Sequence, residues 1–223
     1  MSTGEGINKR RIFIVDDHPL VREWLTNLID QQPDLVVCGE AESAEEGKKG
    51  ILAQQPDAAV VDISLKDSSG IELIKDLKKS SPTVAVIVLS MHDESHYAQR
   101  AMLAGASGYI MKRETTRNVV AAIHKVLEGR LFLSDAIATG MLESLVAGRT
   151  ADSVSAVATL TDREMQVFEL LGRGQPTRQI SEALGISIKT VQAYCARIKE
   201  KLHVDNASEL LREAVRFHDA SGH

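Results

Sequence analysis

A chain of 223 residues, 43% hydrophobic and 26% charged, has the composition of a soluble globular protein and is long enough for one or two domains with their own cores. Its two cysteines, Cys38 and Cys195, lack CxxC spacing and are read as core residues, which argues against a disulfide framework or a zinc site; the seven histidines are scattered without ligand spacing, and there is no GxxxxGK[ST] loop for a nucleotide. The overall net charge is −5.

The start, Met1 to Arg11, is polar and then basic, and the apolar run that follows it is stopped by Asp16, which argues against a signal peptide or membrane anchor and for a cytoplasmic protein. That run, Ile12 to Val15, predicts a strand closed by Asp16 and Asp17, and helical patterns follow over Leu20–Ile29 and Ala44–Gln54. Ala58 to Val61 predicts a strand closed by Asp62, and a helix follows over Ile71–Lys79. Val84 to Leu89 delivers Ser90; then come a helix over Ser95–Ala104, a strand at Tyr109–Met111 that delivers Lys112, and a helix over Thr116–Leu127. Apolar strands alternating with amphipathic helices argue for βαβ units and a doubly wound parallel sheet. In such a sheet the ligand crevice lies outside the carboxyl ends of the strands, so three acids, a hydroxyl and an ammonium are expected to share one rim.

Three carboxylates so close raise one another's pKa unless a cation sits among them. A hard divalent ion answers this, because Mg²⁺ takes oxygen ligands and pairs naturally with one or two carboxylates and a phosphoryl oxygen. The set, together with the loop Asp62 to Gly70 and the segment Ala104 to Lys112, resembles the flavodoxin-like receiver domain of bacterial two-component response regulators, with five strands and five helices. The resemblance implies that Asp62 is the phosphoacceptor, that Asp16, Asp17, Asp62 and the backbone carbonyl of Ser64 hold Mg²⁺, and that Ser90 and Lys112 bind the phosphoryl oxygens. Tyr109, turned away from Ile110 by strand alternation, either packs simply or resembles the receiver's rotating aromatic, with Ser90 as its switch partner. Lys66 departs from the proline common in the receiver loop.

From Ser134 to Ala158 the composition shifts to Ala, Ser, Gly and Thr, with an apolar patch at Met141–Val146, which reads as a linker carrying a short helix. Thr161 and Glu164 then stand in the T-x-x-E spacing of a capping box. Helix from about Arg178 to Leu184, a turn through Gly185 and helix over Ile188–Leu202 read as helix-turn-helix, with Ile188, Val191, Cys195, Ile198 and Leu202 as one apolar stripe. The opposite face carries Lys189, Thr190, Gln192, Ala193, Ala196 and Arg197, and the helix is basic despite the acidic chain. Leu160–Glu164, Ile186–Val191 and Ile198–Leu202 resemble the signatures of LuxR-type DNA-binding domains. A last helix, Ala207–Phe217, offers Leu210, Leu211, Ala214 and Phe217 either to a second subunit or to packing within one.

The expected organisation is a receiver over residues 9–129, a linker over 130–158 and a small all-α helix-turn-helix domain over 159–219. The two resemblances together point to a NarL/FixJ-type regulator: a phosphoprotein that controls transcription, takes a sensor histidine kinase and double-stranded DNA as partners, and forms a homodimer on phosphorylation. Phosphoryl transfer onto Asp62 and its hydrolysis would be self-catalysed, so it is not expected to be an enzyme in the usual sense. The alternative is a signalling or phosphorelay protein whose helical domain binds protein, with a metal-dependent phosphatase a weaker third reading.

Overall fold

The computed structural model describes residues 9–65, 69–90, 94–112, 116–135, 137–139, 157 and 160–221. Lys66 and the expected helix at Met141–Val146 lie outside them. The chain divides into two compact units, residues 1–143 and 144–223.

The first unit alternates β1 (Arg10–Val15), α1 (Pro19–Asp30), β2 (Leu35–Ala41), α2 (Ala44–Gln54), β3 (Ala58–Asp62), α3 (Gly70–Ser80), β4 (Ala85–Ser90), α4 (Glu94–Leu103), β5 (Gly108–Met111) and α5 (Thr116–Leu127). All strand pairs are parallel, in the order β2-β1-β3-β4-β5, so the expected doubly wound sheet is present and β1 and β3 are neighbours. The apolar side chains explain the two layers. Ile12, Ile14, Ala58, Val60, Ile87, Leu89 and Ile110 project to one face, where Leu25 and Ile29 of α1 and Val119, Ala122, Ile123 and Val126 of α5 cover them. The alternate residues face the other helices. There the β1 side chains lie close under α2: a Cβ at Gly47 would meet Val15, and one at Gly50 would meet the Phe13 ring.

The second unit is helical: α6 (Asp162–Gly172), α7 (Thr177–Leu184), α8 (Ile188–Leu202) and α9 (Ala207–Ser221). Its core gathers Leu160, Met165, Val167, Phe168, Ile180, Val191, Ile198, Leu210 and Ala214. The predicted capping box at Thr161 and Glu164 is made in full and starts α6. Gly185 ends α7 at φ 64°, a left-handed cap that a β-carbon would strain, and this turn swings the chain into α8. Ser187 caps α8 by accepting the Thr190 N–H at 3.0 Å.

Three expectations need correction. Both cysteines are half-buried, not fully buried in a core. Ile188 is 46% exposed because it is the first residue of α8 and no preceding turn flanks it. In α9, Leu210 and Ala214 are buried and Phe217 stacks tilted on Phe168 at 5.6 Å, whereas Leu211 is 43% exposed. The last helix thus has two apolar faces: one packs inward, and Leu211 joins Val215 on the other.

Candidate functional site

The sheet register assembles the acidic rim. Pairing of Val15 with Val61 leaves Asp16 level with Asp62, and pairing of Asp62 with Leu89 leaves Ser90 one residue beyond. Asp16, Asp62 and Ser90 are all buried. Gly70 closes the loop after Asp62: a Cβ there would lie 2.2 Å from the Asp62 carbonyl oxygen, so only glycine admits this approach of α3 to β3. The Lys112 N–H donates to the Ser90 carbonyl at 2.7 Å, which fixes the start of the segment beyond β5.

The Lys112 side chain bridges two acids. Its Nζ lies 2.7 Å from Asp62 Oδ2, as an aligned hydrogen bond, and 2.6 Å from Asp16 Oδ2, as an ion-pair contact not aligned for a hydrogen bond. The Ser64 N–H donates to Asp62 Oδ1 at 3.1 Å. Burial pushes the Asp62 carboxyl above its usual range and the Asp16 charge adds to this, while Lys112 and the Ser64 N–H oppose it. For Lys112 burial acts downward, but the two carboxylates outweigh it and hold the ammonium above its ordinary value.

Two neighbours complete the rim that the sequence reading had not singled out. His18 Nδ1 lies 2.9 Å from Asp17 Oδ1, 3.1 Å from Asp16 Oδ1 and 3.9 Å from Asp62 Oδ2. Arg22 donates from Nη1 to the Asp16 carbonyl at 2.6 Å, with Glu40 3.5 Å from its Nε. Both were within reach of the sequence: His18 follows the acid pair directly, and Arg22 stands one helical turn on. Tyr109 is buried beside Val88 in the register, on the layer opposite Ile110.

The rim suits a small hard cation. Asp16, Asp17, His18 and Asp62 each bring a ligand atom within 4.8 Å of all the others. Asp17 Oδ1 is buried without an aligned hydrogen-bond donor, as expected of an oxygen that serves an ion, whereas Asp16 Oδ2 already has the Lys112 ammonium 2.6 Å away.

In the second unit α8 presents Lys189, Gln192, Ala193, Ala196 and Arg197 to solvent. Thr190 is half-buried, its hydroxyl 2.7 Å from that of Ser187 in the helix cap. The Arg197 guanidinium lies over the Tyr194 ring at 5.9 Å. Behind this face, Lys201 Nζ reaches Glu164 Oε2 at 2.6 Å, so the residue that caps α6 also holds α8.

Residues 12–124 match the family described as response regulator receiver domain, and residues 158–214 match bacterial regulatory proteins of the luxR family. The transcriptional regulatory protein UhpA of Salmonella typhimurium is 37% identical over 199 residues, covering 89% of this chain and 94% of its own. The DNA-binding transcriptional activator DevR/DosR of Mycobacterium tuberculosis is 33% identical over 199 residues, covering 89% and 91%. Among solved structures, a two-component response regulator of the LuxR family from Aurantimonas superposes with a TM-score of 0.58 at 36% identity, covering 62% of this chain and 99% of its own. The class is therefore that of two-component response regulators with a receiver and a LuxR-type DNA-binding domain. Within it the chain belongs to the NarL/FixJ family and is a DNA-binding transcriptional regulator, which sets aside the reading of the helical domain as a protein-binding module.

Proposed function

We propose that this regulator is switched by a phosphoryl group accepted on Asp62 from a sensor histidine kinase in the cytoplasm. The observation that carries the proposal is the buried Asp62 carboxylate with the Lys112 ammonium 2.7 Å away and a second acid beside it. Asp62 is the rim acid at the end of the central strand β3, and one of its oxygens attacks phosphorus as the bond from phosphorus to the donor breaks. Lys112 stays charged and offsets the negative oxygens of the transferred group, and the Ser90 hydroxyl donates to one of them. Asp16, Asp17, Asp62 and the Ser64 carbonyl would hold Mg²⁺, which when bound supplies further charge neutralisation there. Transfer and later hydrolysis are self-catalysed, so the protein processes no external substrate.

On DNA, Gln192 and Ala196 read base edges while Lys189, Thr190 and Arg197 hold phosphates, with Ala193 beside them on the approaching face. A homodimer favoured by phosphorylation places two such helices on inverted half-sites, and the exposed Leu211 and Val215 of α9 suit the pairing surface. Incubation with acetyl phosphate and Mg²⁺, followed by intact mass, tests the first step: the parent gains one phosphoryl group and Asp62→Asn gains none. Full labelling of Asp62→Asn would overturn the assignment.

A further inference from the structure

His18 is the least explained member of the rim. It caps α1 without a side-chain capping bond, and its imidazole turns back onto the acids although its side chain is 61% exposed. The separations are informative. Ligands that are neighbours around a six-coordinate ion with bonds near 2.1 Å lie about 3.0 Å apart, and opposite ligands about 4.2 Å. His18 Nδ1 stands 2.9 Å from Asp17 Oδ1, 3.9 Å from Asp62 Oδ2 and 3.1 Å from Asp16 Oδ1, with which it shares a hydrogen bond that a bound ion would replace, so the nitrogen lies within reach of the same ion as the acids. The second observation is Asp17 Oδ1, whose side chain is 7% exposed and which has no aligned donor although it faces this nitrogen. Two groups that approach without an aligned hydrogen bond between them are placed as two ligands of one ion.

We infer that His18 is a nitrogen ligand of the cation held at Asp16, Asp17 and Asp62, and that it shifts the preference of the site from Mg²⁺ toward Mn²⁺. The inference rests on the cation reading of the rim given above. Carboxylate, carbonyl and water suit Mg²⁺ and Mn²⁺ alike, whereas imidazole favours the later and softer metals, so one ring nitrogen separates two ions that an all-oxygen site treats similarly. The exposed edge of the ring leaves the rest of the coordination sphere open to water and to a phosphoryl oxygen. His18 is here a positioning and selectivity group for the ion and takes no proton in the transfer.

The test uses the full chain stripped of metal and loaded with Mn²⁺ or Mg²⁺ alone. Pulsed electron paramagnetic resonance of the Mn²⁺ form is expected to show coupling to one ¹⁴N nucleus, which His18→Ala and His18→Asn lose and which His124→Ala keeps. In calorimetric titrations the ratio of Mn²⁺ to Mg²⁺ affinity should fall about fivefold or more in His18→Ala. His18→Asn retains a polar side chain at the helix start and decides the matter if His18→Ala disrupts the loop. Bound Mn²⁺ without nitrogen coupling in the parent, coupling that survives in both His18 variants, or an unchanged affinity ratio would overturn the role of His18 while leaving the acidic cation site standing. Failure of both ions to bind the parent would remove that site as well.

Discussion

In the proposed transfer Asp62 carries two opposing demands, since a nucleophile has to be ionised and a buried carboxyl resists ionisation. Burial and Asp16 set its value above the ordinary 3.8, so acid protonates it sooner than a surface aspartate. In the metal-free protein the Asp62 carboxyl should accordingly take up its proton, as pH falls, while ordinary surface carboxylates are still charged, and carbon-13 chemical shifts will show it; a transition only near the ordinary aspartate value would refute the shift. The linkage has a definite sign. A group whose folded value is raised contributes its stability below the unfolded value and loses it as pH rises through the folded one. Asp62→Asn should therefore raise the thermal midpoint at pH 7 and change it less at pH 4, as read by calorimetry. On the DNA face, Gln192→Ala should relax base preference at one position and cost about 1–3 kcal/mol there. Lys189→Ala, removing one exposed charge, should weaken all sequences alike and reduce the salt slope by about one. A randomised-site selection that returns one sequence for parent and Gln192→Ala would exclude Gln192 as a reader.

At the scale of elements, α6 and α8 depend on one carboxylate. Burial acts to raise the Glu164 value, but Lys201 and the Thr161 N–H together outweigh it and leave it below 4.5. Its stabilisation is thus complete above the ordinary glutamate range and is lost as pH falls through the depressed value. Lys201→Ala leaves that carboxylate, itself only 3% exposed, without its cation and should destabilise the helical unit by about 1–3 kcal/mol. Hydrogen exchange at the first turn of α6 and along α8 should quicken together; protection unchanged in both helices would show that the pair contributes nothing. The sequence made one half of this arrangement legible. A capping box is local, so T-x-x-E announces it, whereas the contact of Glu164 with Lys201 spans 37 residues and no periodicity encodes it. The bounds of α2, α5 and α8 agree with the hydrophobic periodicity. For Ile188 periodicity failed, because it assigns a face and not whether a partner reaches the end of that face. Strand-end acids were legible for the same reason that Ser90 was: each ends an apolar run. The turn of His18 back onto the acids depends on χ angles, which spacing does not record.

For the molecule as a whole, the proposed phosphorylation at the sheet rim would have to reach an association surface. Ser90 and Tyr109 are both buried, and the register sets Tyr109 beside Val88, two residues before Ser90 on the same strand. In the proposed phosphorylated form, a Ser90 hydroxyl drawn toward the phosphoryl group would alter the space available to that ring, and with it the outer face of the receiver. Phosphorylation should raise the dimer fraction in sedimentation velocity, and Ser90→Ala should blunt the rise while still accepting label. Identical association before and after phosphorylation would refute the switch. In the parent, the tighter dimer should also sharpen discrimination between paired and single half-sites, measured at one fixed salt concentration.

The absence of a β-carbon at Gly70 has a mechanical meaning as well. The first turn of α3 rests directly on the peptide of Asp62, and the Gly70 N–H is bonded to the Ile63 carbonyl at 3.0 Å. No side chain lies between them to act as a cushion. A tilt of the Asp62 peptide would therefore press directly on the start of α3, whose eleven residues would carry it outward as leverage.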